Sequence, residues 1–64
     1  MGSREVIRAL MDDGWVLVRS RGSHHHFAHP VKPGIVTVPH SRKDLSRRLL
    51  QSIERQAGIE LGAR

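Results

Sequence analysis

The chain carries two one-sided helical patterns with a stretch of shorter, strand-like period between them. Val6, Ile7, Leu10 and Met11 recur at the three- and four-residue spacing of a helix face, with Ser3 at the expected N-cap and Glu5 in the first turn. Asp12, Asp13 and Gly14 predict the end of that helix, since glycine accepts the left-handed conformation common just past a C-terminus. Trp15 to Val18 is an aromatic and β-branched run too short for another helix, and the polar Arg19, Ser20, Arg21 and Gly22 read as a turn. Ser23 to His29 returns as a second strand, Pro30 to Gly34 turns the chain again, and Ile35 to Val38 forms a third strand. After a polar connection from Pro39 to Asp44, Ser46 is placed to cap a helix whose apolar face holds Leu49, Leu50, Ile53 and Ala57. Gly58 stops it, and Ile59 is expected to fold back on its last turn.

The predicted fold is α+β in a double-stranded-RNA-binding-domain-like α-β-β-β-α order, a three-stranded antiparallel sheet with two helices on one face. Trp15, Leu17, Phe27, Val36 and Val38 are the strand residues expected in or beside the core. The 64 residues make one domain, 1–64, with an ordered core of roughly 3–59. That core is small, because a chain of this length buries only about 60% of the surface its unfolded form exposes. With no cysteine, neither disulfides nor thiolate metal sites reinforce it, and a reducing cytoplasm is the expected compartment. No apolar run approaches the roughly 18 residues of a membrane span and no signal-peptide pattern opens the chain, so no membrane partner is expected.

Charge narrows the field of partners. The formal net charge is +5. Between Trp15 and Arg48 the basic Arg19, Arg21, Lys32, Arg42, Lys43, Arg47 and Arg48 face Asp44 alone. Such a balance favours a polyanion, nucleic acid ahead of a membrane surface, over a basic surface that is merely solvated.

The most distinctive segment is Gly22-Ser23-His24-His25-His26-Phe27. Side chains alternate along a strand, so burying Phe27 under the helices turns His24 and His26 to the opposite face. A tag-derived origin is countered by the internal position of the histidines and by the need for a strand there. Metal ligation by His24 and His26 with His29 or His40 is a weak alternative, because neither Cys nor a carboxylate accompanies them and no Asp or Glu lies between Asp13 and Asp44. A further alternative is that the histidines are ordinary polar strand residues.

Hydrolytic chemistries are pruned by what they require. Two-metal phosphoryl transfer wants clustered carboxylates, which the scattered Glu5, Asp12, Asp13, Asp44, Glu54 and Glu60 do not form beside the basic strands. A Ser-His-Asp arrangement from Ser23 and Asp44 lacks a nucleophile elbow. Metal-free RNA cleavage remains, with the RNA's 2′-hydroxyl as nucleophile, a histidine as base or acid, and nearby arginines stabilising phosphate charge. No cofactor and no metal is expected. Trp15 and Phe27 are the aromatics of the chain, both assigned to the core, which argues against sequence reading by base stacking.

These blocks resemble a known family, the HicA toxins. The likeness lies in Ser3-Arg4-Glu5-Val6-Ile7, Gly14-Trp15, Gly22-Ser23-His24-His25-His26-Phe27, Val36-Thr37-Val38-Pro39-His40, and Ile53 with Gln56-Ala57-Gly58-Ile59. Gly-Ser-His followed by an aromatic three positions after the His is its most specific part. Arg47-Arg48 departs from the small residues, often Gly-Thr, of the family's second-helix start. The resemblance implies an mRNA interferase, an endoribonuclease toxin that arrests translation and is held inactive by a HicB antitoxin masking its active site. It implies His24 as the catalytic residue; His26 has no such role in the family pattern and is a candidate through sharing the face of His24. Arg19, Arg21, Ser23, Lys32, Arg42 and Lys43 are the candidate RNA contacts. The alternatives are a non-catalytic RNA-binding module using the same basic face, and an interaction subunit for an acidic protein.

Overall fold

The computed structural model describes residues 1–62. Its elements are α1 (Ser3–Asp12), β1 (Val16–Arg21), β2 (His24–Ala28), β3 (Val36–Pro39) and α2 (Arg47–Ala57). The strands form one antiparallel sheet in the order β1-β2-β3, which is the α-β-β-β-α fold expected from the sequence pattern.

In α1 the apolar stripe buries Val6 and Leu10. Its N-cap is Gly2, one residue before the serine predicted for that role. Ser3 is instead the first helical residue and is fully buried, with its hydroxyl committed elsewhere. Ser3 Oγ donates to the Pro39 carbonyl and accepts from the Arg42 N–H at 3.0 Å, tying the helix start to the end of β3. Glu5 takes over capping by accepting the Gly2 N–H at 3.1 Å. At the other end Gly14 has φ 104°, and a Cβ there would lie 2.9 Å from His29 Nε2.

The first strand also differs from expectation. It runs through Arg21, because Gly22-Ser23 alone suffices as a two-residue loop, with Arg21 paired to His24. Gly22 has φ 57° and Ser23 does not have positive φ, the combination of a type II′ hairpin. The polar residues 19–21 therefore stay in the ladder.

Trp15, Phe27, Val36 and Val38 are buried with Leu50, Ile53 and Ala57 of α2, as the helical and strand periods anticipate. Leu45, from the connection before α2, joins them. Leu17 does not: it is 47% exposed, although it pairs with buried Phe27. The helices pack against β3, so their cover does not extend to β1 at the sheet's edge.

Ser46 caps α2 as predicted, its Oγ accepting the Leu49 N–H at 3.1 Å. Arg47 and Arg48 thus stand in the exposed first turn, and the unusual residues leave the helix start intact. Gly58 ends the helix in the left-handed conformation, and Ile59 and Leu61 pack on the core beyond it. No helix among the described residues is long and apolar enough to cross a membrane.

Candidate active site

The face of the sheet turned away from the helices gathers the first group of candidate residues. His24 and His26 point there, since Phe27 between His26 and Ala28 is buried on the other side. Across the β1–β2 ladder Arg21 is opposite His24 and Arg19 is opposite His26. Directly opposed residues bring their Cβ atoms within about 4.5–5.5 Å, so each imidazole has a guanidinium-bearing neighbour on its own face. Both arginines are exposed, and so is His24.

A β-bulge makes this arrangement possible. Leu17 pairs with Phe27, yet Arg19, two residues on, pairs with His26 and not His25. Val18 is the additional residue, and it resets the alternation so that Leu17 faces the helices while Arg19 and Arg21 face the histidines. An unbroken strand with Leu17 inward would have turned both arginines inward too.

On the other flank of β2, His26 pairs with Thr37, and its Nδ1 lies 2.8 Å from Thr37 Oγ1. That contact orients the ring and leaves Nε2 as the other functional nitrogen. Thr37 is not among the residues singled out from the sequence. Its signal is present there, however, as the polar residue between buried Val36 and Val38 that alternation must direct to the open face. His24 pairs with Pro39 at the end of β3, and the next residue is tied to the hairpin through His40 N–H donating to the Ser23 carbonyl.

Ser23 is therefore exposed in the hairpin loop immediately before His24. Arg42 and Lys43 lie on the connection after β3, whose backbone carbonyls approach Gly2 at the start of α1. They are near the His24 end of β2, through its pairing with Pro39.

Lys32, the other candidate phosphate contact, is placed away from this face. Its Nζ donates to Asp13 Oδ2 at 2.6 Å, to the Ala57 carbonyl at 3.0 Å and to the Gly58 carbonyl at 3.1 Å. The ammonium complements the partial negative charge at the end of α2 while pairing with a carboxylate at the end of α1. This hydrogen bond from Lys32 holds the Asp13 carboxyl below the usual aspartate range. Lys32 follows the Ala28 end of β2, the end remote from His24. His29 belongs to the same region, packed edge-on to Trp15 with ring centroids 5.2 Å apart. Among the described residues no three His, Cys, Asp or Glu side chains converge as a set of metal ligands.

The family model for the HicA toxin of bacterial toxin-antitoxin systems matches residues 3–59. The chain belongs to the HicA toxin family. A solved structure described as the HicA3 and HicB3 toxin-antitoxin complex superposes on this HicA chain with a TM-score of 0.82 and 38% sequence identity. The match covers 97% of this chain and 100% of the other. A comparison with curated proteins gives no match.

Proposed function

We propose that this HicA toxin is a metal-independent endoribonuclease that arrests translation by cleaving mRNA on the open face of its sheet. The observation that carries the reading is the pairing of His24 and His26 with Arg21 and Arg19 on one uncovered, basic face. His24 serves as general base or acid and His26 as its assistant, while Arg19, Arg21 and Ser23 hold the cleaved phosphodiester and Arg42 and Lys43 contact the RNA backbone beyond it.

The chemistry needs nothing beyond these side chains and the substrate. An imidazole takes the 2′-hydroxyl proton as that oxygen attacks the adjacent phosphorus, and the bond to the 5′-oxygen breaks. The leaving oxygen receives a proton from an imidazolium, and the products carry a 2′,3′-cyclic phosphate and a 5′-hydroxyl. Placed proton transfer contributes on the order of 10²- to 10⁴-fold, and positive charge at the phosphate adds to it. Both protonation states of an ordinary imidazole are populated near neutral pH, which suits the two roles.

A HicB-like antitoxin, acting in the cytoplasm beside its toxin, would silence this site by covering the His24 face. The solved relative described as a HicA3 and HicB3 complex supports such a partner. Acidic groups on the antitoxin would be steered by the +5 charge of the chain, and that steering weakens with salt.

The test is cleavage of a single-stranded RNA in the presence of a metal chelator. A cyclic-phosphate product is expected, together with resistance of a matched substrate whose 2′-hydroxyls are replaced by hydrogen. Retention of uncut RNA would favour the non-catalytic RNA-binding module instead.

A further inference from the structure

His25 and His40 lie outside the site proposed above. Strand alternation puts His25 on the Phe27 side of the sheet, the side that α1 and α2 cover, so it cannot share a pocket with His24. Its ring packs against that of His40, with centroids 4.8 Å apart and planes tilted by 34°. His40 Nδ1 is buried and has no hydrogen-bond partner among the described residues. An imidazole pair is a poor choice for simple packing, since each ring brings polar nitrogens that want partners.

Two cavities meet at His40. One, of about 480 Å³, is lined by Arg4, His40, Ser41, Arg42 and Lys43 together with Gly2 and Glu5. Glu5 is its acidic member, and that carboxylate already accepts the Gly2 N–H. The other, of about 340 Å³, runs along α1 past Ile7, Met11 and Leu17 to His25 and Phe27. Arg4 and His40 line both. The trough is thus basic at one end and apolar at the other, with the His40 ring at the junction and the His25 ring beside it in the apolar arm.

We propose that this trough is a second RNA subsite, taking one nucleotide with its phosphate among Arg4, Arg42 and Lys43 and its base against the His25–His40 rings. The inference rests on the reading of the chain as an RNA-binding toxin. Charge selects a phosphate, and the apolar arm with its flat rings selects a base, because every base has a face that stacks on an aromatic side chain. Trp15 and Phe27 are each 1% exposed and offer no such surface, so the histidine pair supplies what the aromatic residues cannot. His24 and His25 are consecutive on β2 and point to opposite faces. The subsite therefore receives a nucleotide flanking the cleaved bond, with the RNA passing round the end of the sheet beside the Gly22-Ser23 hairpin.

A pentanucleotide with 2′-O-methyl groups throughout has no free 2′-hydroxyl and stays intact, so binding can be read without cleavage. Titrated into the isotope-labelled full chain, it should shift amide signals of Arg4, His40 and Ser41 as well as those of the open face. His40→Leu, which keeps bulk and removes the ring, should weaken binding roughly 5- to 150-fold, the range that one base stack accounts for. His40→Phe should restore it. Shifts confined to the open face, with folded His40→Leu binding as tightly as the parent, would overturn the subsite and leave the RNA reading in place. Failure of the parent chain both to bind the pentanucleotide and to cut RNA would overturn both.

Discussion

Arg19 faces His26 across the β1–β2 ladder, and it does so because Val18 is an extra residue in the edge strand. The bulge serves two demands that one regular strand cannot meet, an inward Leu17 and outward arginines. If these arginines contact RNA phosphates, Arg19→Ala and Arg21→Ala should each weaken binding to single-stranded RNA across sequences. Each should also flatten the plot of log affinity against log salt by about 0.7 for every phosphate that is no longer neutralised. Filter-binding titrations at several salt concentrations measure both quantities.

Lys32 bridges the ends of both helices, and its substitution should affect the fold more than the chemistry. Lys32→Met removes donors from Asp13 Oδ2 and from the Ala57 and Gly58 carbonyls. A fall in Tm of roughly 4–8 °C is expected, the shift that about 1 kcal/mol produces in a domain of this size. RNA cleavage per folded molecule should stay within about twofold of the parent, whereas substituting a phosphate-binding lysine would reduce it further.

The Asp13 carboxylate supplies a pH dependence whose sign is set by the same contact. Its folded pKa is depressed by the Lys32 hydrogen bond, so the unfolded chain binds its proton more readily than the native one. The associated stability is present above the ordinary aspartate pKa of about 3.9 and is lost as pH falls through the lower, folded value. Denaturant melts from pH 6 down to pH 2.5 should show this decline, and Asp13→Asn should make the acid limb shallower.

His29 is held in one tautomer by its neighbours. Its Nδ1 accepts the N–H groups of Val31 and Lys32, each at 3.0 Å, and its Nε2 lies 2.8 Å from the Asp13 carbonyl, which can only accept. The neutral ring must therefore carry its proton on Nε2. Long-range nitrogen–proton correlation spectra should show that tautomer for His29; a proton on Nδ1 would contradict the geometry.

Ser3 offers a test of the link between α1 and β3. Ser3→Ala would strip partners from the Pro39 carbonyl and the Arg42 N–H inside a fully buried position. A loss of about 1–3 kcal/mol in denaturant unfolding is expected, because buried groups left unsatisfied cost more than the bond itself contributes.

Much of the fold is legible in the sequence because its signals are local. The stripes of α1 and α2, the Ser46 cap and the Gly58 stop rest on spacing and on conformations that few residues adopt. Ser3 misleads because a serine at a helix start looks alike whether its hydroxyl turns to its own helix or to Pro39 and Arg42, and the choice is made by tertiary contacts. Leu17 misleads because hydrophobicity and alternation report the side of a sheet, while burial depends on how far the helices reach. For the site, alternation places His24 and His26 on one face. The Val18 bulge, which decides where Arg19 points, depends on the pairing of two strands and leaves no mark in the sequence of one. Lys32 illustrates the same limit, since a lysine in a Pro-Gly turn carries no local sign of the helix ends it will meet.

The central claim is that His24 performs the proton transfer in RNA cleavage. The most direct measurement is the single-turnover cleavage rate of His24→Ala against the parent, with chelator present and folding of both verified by circular dichroism. A drop on the order of 10²- to 10⁴-fold is predicted, with binding of the non-cleavable pentanucleotide retained. A folded His24→Ala chain that cut RNA as fast as the parent would contradict the account.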